Sequence, residues 1–317
     1  RDRDSEKALA FLWTGSRKET AGLEMLKKAS IPVFYTPSKL ATGVRSLLDY
    51  HAWLGLHGNA GFPAAPAISP EQQAAAERLA ATDGVALSEH QSKGLLSEWG
   101  VPITREKLVM NADDAVTAAD EIGYPVVLKA DVANMPHKTD AGLVMLGLRG
   151  EDAVRAAYDQ VISNAANAGA VGDGINGVSV QEMVLDGVEV IVGVTVDPRF
   201  GPLVMVGLGG VFVEVIGDVA FAPVPLSPAD ARGLLGGLKG WPLLAGARGG
   251  AVGDVEALCE LVAGLSRFAW LYRDDIAEID LNPVIVHRQG RGVTVVDAVI
   301  VRRGGDAPAG SAAAAYS

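Results

Sequence analysis

Four apolar, valine-rich runs crowd into residues 178–216: VSVQEMV from Val178, VEVIVGVT from Val188, PLVMV from Pro202 and VFVEVI from Val211. Short apolar runs bounded by turn residues read as strands. These four follow one another with no helix between them, which breaks the strand–helix rhythm of a parallel sheet. The chain from Val85 onward is therefore expected to be an α/β domain made of two α+β lobes, about 85–180 and 181–303.

The flanking segments support that division. Ser88-Glu89-His90-Gln91 has the capping-box form S-x-x-Q and opens a helix that carries Leu95, Leu96 and Trp99 and stops at Gly100. Asn111 opens a helix that ends at Gly123. Val126 to Lys129 reads as a buried strand ending in a cation, Leu143 to Leu148 as another strand, and Glu151 to Ala168 as a helix. A helix from Asp254 to Tyr272 has Leu258, Leu261, Val262, Leu265 and Phe268 on one face. AEIDL, VIVH and VTVVDAVIV then read as three closing strands.

The first 57 residues follow a different rhythm. ALAFLW and Ile31 to Tyr35 read as strands, and residues 17–29 and 38–51 as helices. This is βαβα, too little for a complete doubly wound domain. Residues 58–84 are small, Pro- and Ala-rich, and read as a linker with a short helix at 71–81. Residues 304–317 read as a disordered tail.

Composition narrows the function classes. Hydrophobic residues make up 49% and charged residues 21%, which excludes a disordered chain. The net charge of −11 argues against nucleic acid as a partner. No apolar run reaches membrane length, and no signal peptide is evident, so no membrane partner is expected. One cysteine, Cys259, fits a reducing cytoplasm.

Several residue groups could carry chemistry. Lys129 ends an apolar strand, where an ammonium meets an anion such as phosphate or snorkels to the surface. His137 lies in the polar stretch Asn134–Gly142, as a proton shuttle, metal ligand, phosphoryl carrier or plain loop histidine. Glu182 and Glu189 flank the turn signal Asp186-Gly187, and on their own read as solvent-facing strand residues. Gly207-Leu208-Gly209-Gly210 would let a backbone approach phosphate, a weak signal in a chain with 38 glycines. Asp280 and Asn282 are two apart on a strand and share a face, and Asp297 follows. Their oxygens suit Mg²⁺, or else mark a strand-end turn.

Taken together, LSEHQSKGLLSEWGVPI, YPVVLKA, HKTDAG, DPRFGP, GLGG, GARG and EIDLNPVIV…VVDA make a specific combination. From Leu87 to Val301 the chain resembles the ATP-grasp domain of NDP-forming acyl-CoA synthetases, of the ADP-forming acetate–CoA ligase type. The last motif also resembles the metal site of succinyl-CoA synthetase β subunits. The N-terminal βαβα resembles the end of the flavodoxin-like CoA-ligase domain that precedes ATP-grasp in fused members. With no Met at position 1, the chain is expected to be part of a longer protein, with CoA bound mainly by upstream domains.

The resemblance implies a phosphoryl relay. Acyl-CoA and phosphate give an acyl phosphate, whose phosphoryl passes through histidines to ADP, and the reverse direction activates a small carboxylic acid with ATP. His137 matches the second relay histidine, and Asp280 would share the metal or orient the phosphohistidine. Lys129 matches a nucleotide-phosphate contact. Glu182, Met183 and Val184 match the adenine-reading hinge, and Glu189 the ribose carboxylate. Gly209, Gly210 and Arg248 would lie at the phosphates, and Asn282 and Asp297 would hold Mg²⁺. Assembly as a homo-oligomer is expected through the full-length protein. Leu143 stands where family loops carry a second glycine, which bears on that loop's mobility. A degenerate acyl-CoA- or nucleotide-sensing domain in a regulatory protein, such as an acetyltransferase fusion, is the alternative reading. HKTDAG argues against an ATP-grasp ligase that joins a carboxylate to an amine.

Overall fold

The computed structural model describes residues 9–15, 20–57, 69–81, 86–132, 141–169, 174–197, 200–209, 217–247 and 250–303. The chain divides into two compact units, residues 1–66 and 67–317.

In the first unit, β1 (Phe11–Leu12) pairs in parallel with β2 (Val33–Phe34), with Phe11 opposite Val33. Helix α1 (Ala21–Lys28) is capped by Thr20, whose Oγ1 accepts from the Leu23 N–H at 3.4 Å, and Leu23 is buried. Helix α2 (Pro37–His57) passes close to β2: a Cβ on Gly43 would lie 2.6 Å from the Phe34 ring. Glycine is required there by proximity alone.

The second unit holds two sheets with separate cores. The smaller sheet has the order β3 (Glu106–Val109), β6 (Ile175–Glu182), β4 (Val126–Val132), β5 (Val144–Leu148), all antiparallel. Helices α5 (Ala112–Ile122) and α6 (Glu151–Asn167) pack against it. Asn111 caps α5 by accepting from the Asp114 N–H at 2.8 Å, and Gly123 ends it at φ +95°. The core between them is Ala- and Val-rich, from Ala115 and Val116 to Val178 and Val180.

The larger sheet runs β11 (Val293–Val295), β10 (Ile276–Val286), β7 (Val188–Asp197), β8 (Gly201–Leu208), β9 (Val219–Pro223), with β12 (Ala298–Arg302) also pairing β10. Helices α7 (Pro228–Gly236) and α9 (Val255–Leu271) cover one face, and a short α8 (Trp241–Leu244) lies between them in sequence. Ser227 and Asp230 form a reciprocal capping box on α7. Asp254 caps α9.

Three sequence expectations meet a different arrangement. AEIDL and VIVH are one strand, β10, running through Pro283. The register with β7 shifts by one residue between Leu281 and Val284, so a bulge absorbs the proline. VTVVDAVIV is instead two strands, β11 and β12, parted at Val296-Asp297. Finally, α3 (Pro70–Ala81), read as part of the linker, and α4 (Glu89–Ser97), read as part of the first lobe, both pack on the larger core. Leu79, Leu95 and Leu96 are buried there, and Trp99 meets Phe268 and Tyr272 edge-on, with ring centroids 5.3 and 5.6 Å away. An amphipathic helix shows that it has a buried face but not which core receives it. The run VFVEVI and the tail lie outside the described residues.

Candidate functional site

The larger sheet has two unlike faces, and the alternation of its strands sorts them. Val190, Val192 and Val194 of β7 and Ile279 and Leu281 of β10 enter the core under the helices. The intervening residues, Ile191 and Gly193 on β7 and Glu278 and Asp280 on β10, therefore share the opposite face. On that face Gly193 lies between Asp280 and Met205 in register, and Ile191 packs with Met205. The bulge at residues 282–283 then reverses the parity of β10, since Val284 and Val286 enter the core. Asn282 is left exposed at that bulge. Its backbone N–H donates to the Asp297 carbonyl at 3.2 Å, which brings the two sequence-predicted metal ligands side by side.

Lys129 reaches the same place from the smaller sheet. Its Nζ lies 3.6 Å from Asp297 Oδ2 and donates to Glu89 Oε1 at 2.8 Å. The residue is 8% exposed. Burial pulls the ammonium pKa down, but the charges of Asp297 and Glu89, the Glu89 hydrogen bond and the charge of Glu106 outweigh it. The net shift is above the ordinary lysine value, so Lys129 stays charged at neutral pH.

Glu89 is shared. Lys93, fully buried, donates to Glu89 Oε1 (2.9 Å), Glu106 Oε2 (2.8 Å) and Thr104 Oγ1 (3.2 Å), which uses all three of its N–H bonds. Glu106 Oε1 lies 2.9 Å from His90 Nδ1. Gln181 Nε2 donates to Thr104 Oγ1 and to the Val296 carbonyl, at 2.6 and 2.8 Å. None of these supporting residues was singled out for a role from the sequence. The signal available, Glu89 four residues before Lys93, ordinarily marks a solvated helix pair. Only the docking of α4 makes it a buried one.

Of the residues expected at the hinge, Glu182 ends β6, and Met183 and Val184 follow it. Glu182 pairs with Val126, and its carboxylate accepts from the Arg105 backbone N–H (2.9 Å) and Arg105 Nε (2.8 Å). Its side chain is thus engaged within the fold. Met183 and Val184 line a cleft of about 1000 Å³ with Gly187, Val286, Arg288 and Arg291 on its walls. Glu189 is exposed at the start of β7, and its carbonyl accepts from the Gly209 N–H at 2.8 Å. A Cβ on Gly209 would stand 2.8 Å from the Glu189 Cβ. Gly209→Ala is therefore expected to push β8 from β7 and cost about 1–3 kcal/mol in urea unfolding. His137, Gly210 and Arg248 lie outside the described residues.

The structure thus joins Lys129, Asn282 and Asp297, puts Asp280 on the adjoining face, and sets Met183 and Val184 along a cleft. Among the described residues no group of three or more His, Cys, Asp or Glu is arranged to hold a metal by itself. Asn282 and Asp297 provide two oxygen donors, which suits Mg²⁺ completed by phosphate oxygens and water.

Two lobes with antiparallel sheets, and a charged lysine facing an Asn–Asp pair between them, define a nucleotide-grasping domain. The sequence profile of the ATP-grasp domain matches residues 78–301, and the chain belongs to that family. Within it, the chain belongs with the β subunits of ADP-forming acetate–CoA ligases. It is 40% identical to the β subunit of acetate–CoA ligase [ADP-forming] II of Pyrococcus furiosus over 228 residues, covering 72% of this chain and 96% of that one. It is 38% identical to a trans-feruloyl-CoA synthase of an unknown prokaryotic organism over 280 residues, covering 88% of this chain and 38% of that one. A solved acetyl-coenzyme A synthetase chain of Ca. Korarchaeum cryptofilum is 39% identical, with a TM-score of 0.63 over 73% of this chain and all of that one. That structure holds coenzyme A and Mg-AMPPCP, with a phosphohistidine segment pointing towards the nucleotide site.

Proposed function

We propose that this chain carries the nucleotide and phosphoryl-transfer half of an ADP-forming acyl-CoA synthetase, an acid–thiol ligase that turns a carboxylate, CoA and ATP into acyl-CoA, ADP and phosphate. The observation that carries the reading is the spacing between hinge and lysine. Val126 pairs with Glu182 and Lys129 with Ser179 on one antiparallel ladder. The hinge and Lys129 are therefore about 10 Å apart along the strand. A nucleotide whose base meets the backbone of Met183 and Val184 would bring its phosphates to Lys129, Asn282 and Asp297. Glu189 would take the ribose, and Gly209, Gly210 and Arg248 would add contacts at the phosphates.

The chain's own residues then act by position and charge. The Lys129 ammonium, already held by Glu89, neutralises charge on the phosphates. Asn282 and Asp297 would hold Mg²⁺, which when bound offsets the charge shared by the terminal phosphates. A neutral imidazole nitrogen of His137 attacks the γ-phosphorus. The N–P bond forms as the P–O bond to ADP breaks, and the electron pair leaves on the terminal oxygen of ADP. Asp280 would orient the phosphohistidine. The phosphoryl group then passes to a carboxylate, and CoA displaces it as phosphate. CoA and the acid would be bound mainly by a partner subunit or domain, in keeping with the subunit name of the Pyrococcus relative. Self-association and a cytoplasmic setting belong to the same reading. The single, buried Cys259 supports the latter.

The test is direct. Incubation with γ-labelled Mg–ATP is expected to leave acid-labile phosphate on the chain, and His137→Ala to abolish it. Undiminished label in that variant would overturn the assignment.

A further inference from the structure

The smaller sheet keeps its apolar core on one face, where Val126, Leu128 and Ala130 of β4 and Val178 and Val180 of β6 lie under α5 and α6. Alternation along the paired strands puts Lys129, Ser179 and Gln181 on the other face. Gln181 is 0% exposed there. Its amide Nε2 reaches out of the sheet to the Val296 carbonyl, 2.8 Å away, and also donates to Thr104 Oγ1. A carbonyl oxygen only accepts, so this contact fixes which way the amide points. The cost falls on Gln181 Oε1, which is buried and among the described residues accepts from nothing. An apolar side chain of the same length would avoid that cost. What glutamine adds at this position is the donated N–H bond.

The receiving carbonyl sits where the backbone needs holding. Val296 and Asp297 lie between β11 and β12, and the residues on either side, Val295 and Ala298, are both in the core. Two residues between two buried ones break strand alternation, so single hydrogen bonds set their backbone instead. The Val296 N–H donates to the Pro283 carbonyl at 3.0 Å, and the Asp297 carbonyl accepts from the Asn282 N–H at 3.2 Å. Between these two bonds lies the peptide unit of the Val296 carbonyl, which Gln181 holds. The orientation of that planar unit sets the direction in which the Asp297 side chain leaves the backbone. We infer that Gln181 is a positioning residue for Asp297. By holding the Val296 carbonyl it keeps the Asp297 carboxylate turned toward Lys129, 3.6 Å away, and toward the Mg²⁺ that Asp297 and Asn282 would share. The inference rests on the Mg²⁺ role proposed above for Asp297 and adds a residue to it. Gln181 directly precedes Glu182, so the strand that leads to the hinge also holds the metal side of the site.

Gln181→Met keeps the length of the side chain and removes the donor. ADP binding is measured by titration calorimetry twice, once with Mg²⁺ and once with a chelator. The gain in ADP affinity that Mg²⁺ confers is expected to fall about tenfold, the lower end for losing a group that orients a metal ligand, while binding in chelator stays within about twofold of wild type. Gln181→Leu, equally without a donor, is expected to behave alike and serves in place of the methionine variant if that one does not fold. A purely structural role would weaken both titrations together. A parallel fall in the two, or an undiminished gain from Mg²⁺, would overturn the inference. If wild-type ADP binding gains nothing from Mg²⁺, or Asp297→Asn keeps the full gain, the Mg²⁺ role of Asp297 falls first, and this inference with it.

Discussion

Lys93→Met is expected to destabilise the second unit by about 3–5 kcal/mol, the range for removing one partner of a buried ion pair. Lys93 is 0% exposed and bridges Glu89 and Glu106. Methionine fits the volume but removes the cation between Glu89 and Glu106, so Glu89 keeps only Lys129 and Glu106 loses its buried ammonium partner. At this size each kcal/mol lowers the melting temperature by roughly 2–4 °C, so a shift near 10 °C should be seen. A second substitution, Glu106→Gln, should recover part of the loss, since it removes one of the stranded charges. The cycle over wild type, both single variants and the double variant isolates the coupling. Additive effects would show that the two charges do not interact as their 2.8 Å contact implies.

Lys129→Met should leave the fold nearly intact and damage nucleotide binding instead. Glu89 would keep its hydrogen bond from Lys93. What is lost is a charged donor beside Asp297, and a charge-assisted hydrogen bond contributes about 1.5–3 kcal/mol. Mg–ADP affinity is therefore expected to fall about 10–100-fold in titration calorimetry. Asp297→Asn should weaken binding chiefly in the presence of Mg²⁺, because its carboxylate is the proposed ligand. If Lys129→Met binds Mg–ADP as tightly as wild type, the phosphates lie elsewhere and the placement along β4 is wrong.

What could be read from the residues divides by range. Capping is local, and so the boxes and caps at Ser88, Asn111, Gly123 and Asp254 stand where the sequence puts them. The same rule applies to Ser227-Pro228-Ala229-Asp230, where the capping box opens α7. Strand identity was also local, but strand continuity was not. Pro283 looked like a terminus because proline cannot donate to a ladder, and only the bulge between β10 and β7 shows how the strand passes it. Of the site, Asn282 and Asp297 are joined by a backbone hydrogen bond that no spacing rule predicts across fifteen residues. Glu89 and Lys93 were visible as a helix pair. Their burial depends on α4 docking against β12, to which Leu87 N–H donates through the Ile300 carbonyl.

The two faces of β10 have a consequence for how errors in folding show themselves. Ile279 and Leu281 anchor the core, while on the same eleven residues Glu278 and Asp280 take the opposite face and Asn282 stands exposed at the bulge. A slip of one residue would turn both carboxylates into the core and both aliphatic side chains out of it. Such a chain would fail to fold before it could fold inactive. The hydrophobic register thus also fixes which face of β10 carries its carboxylates.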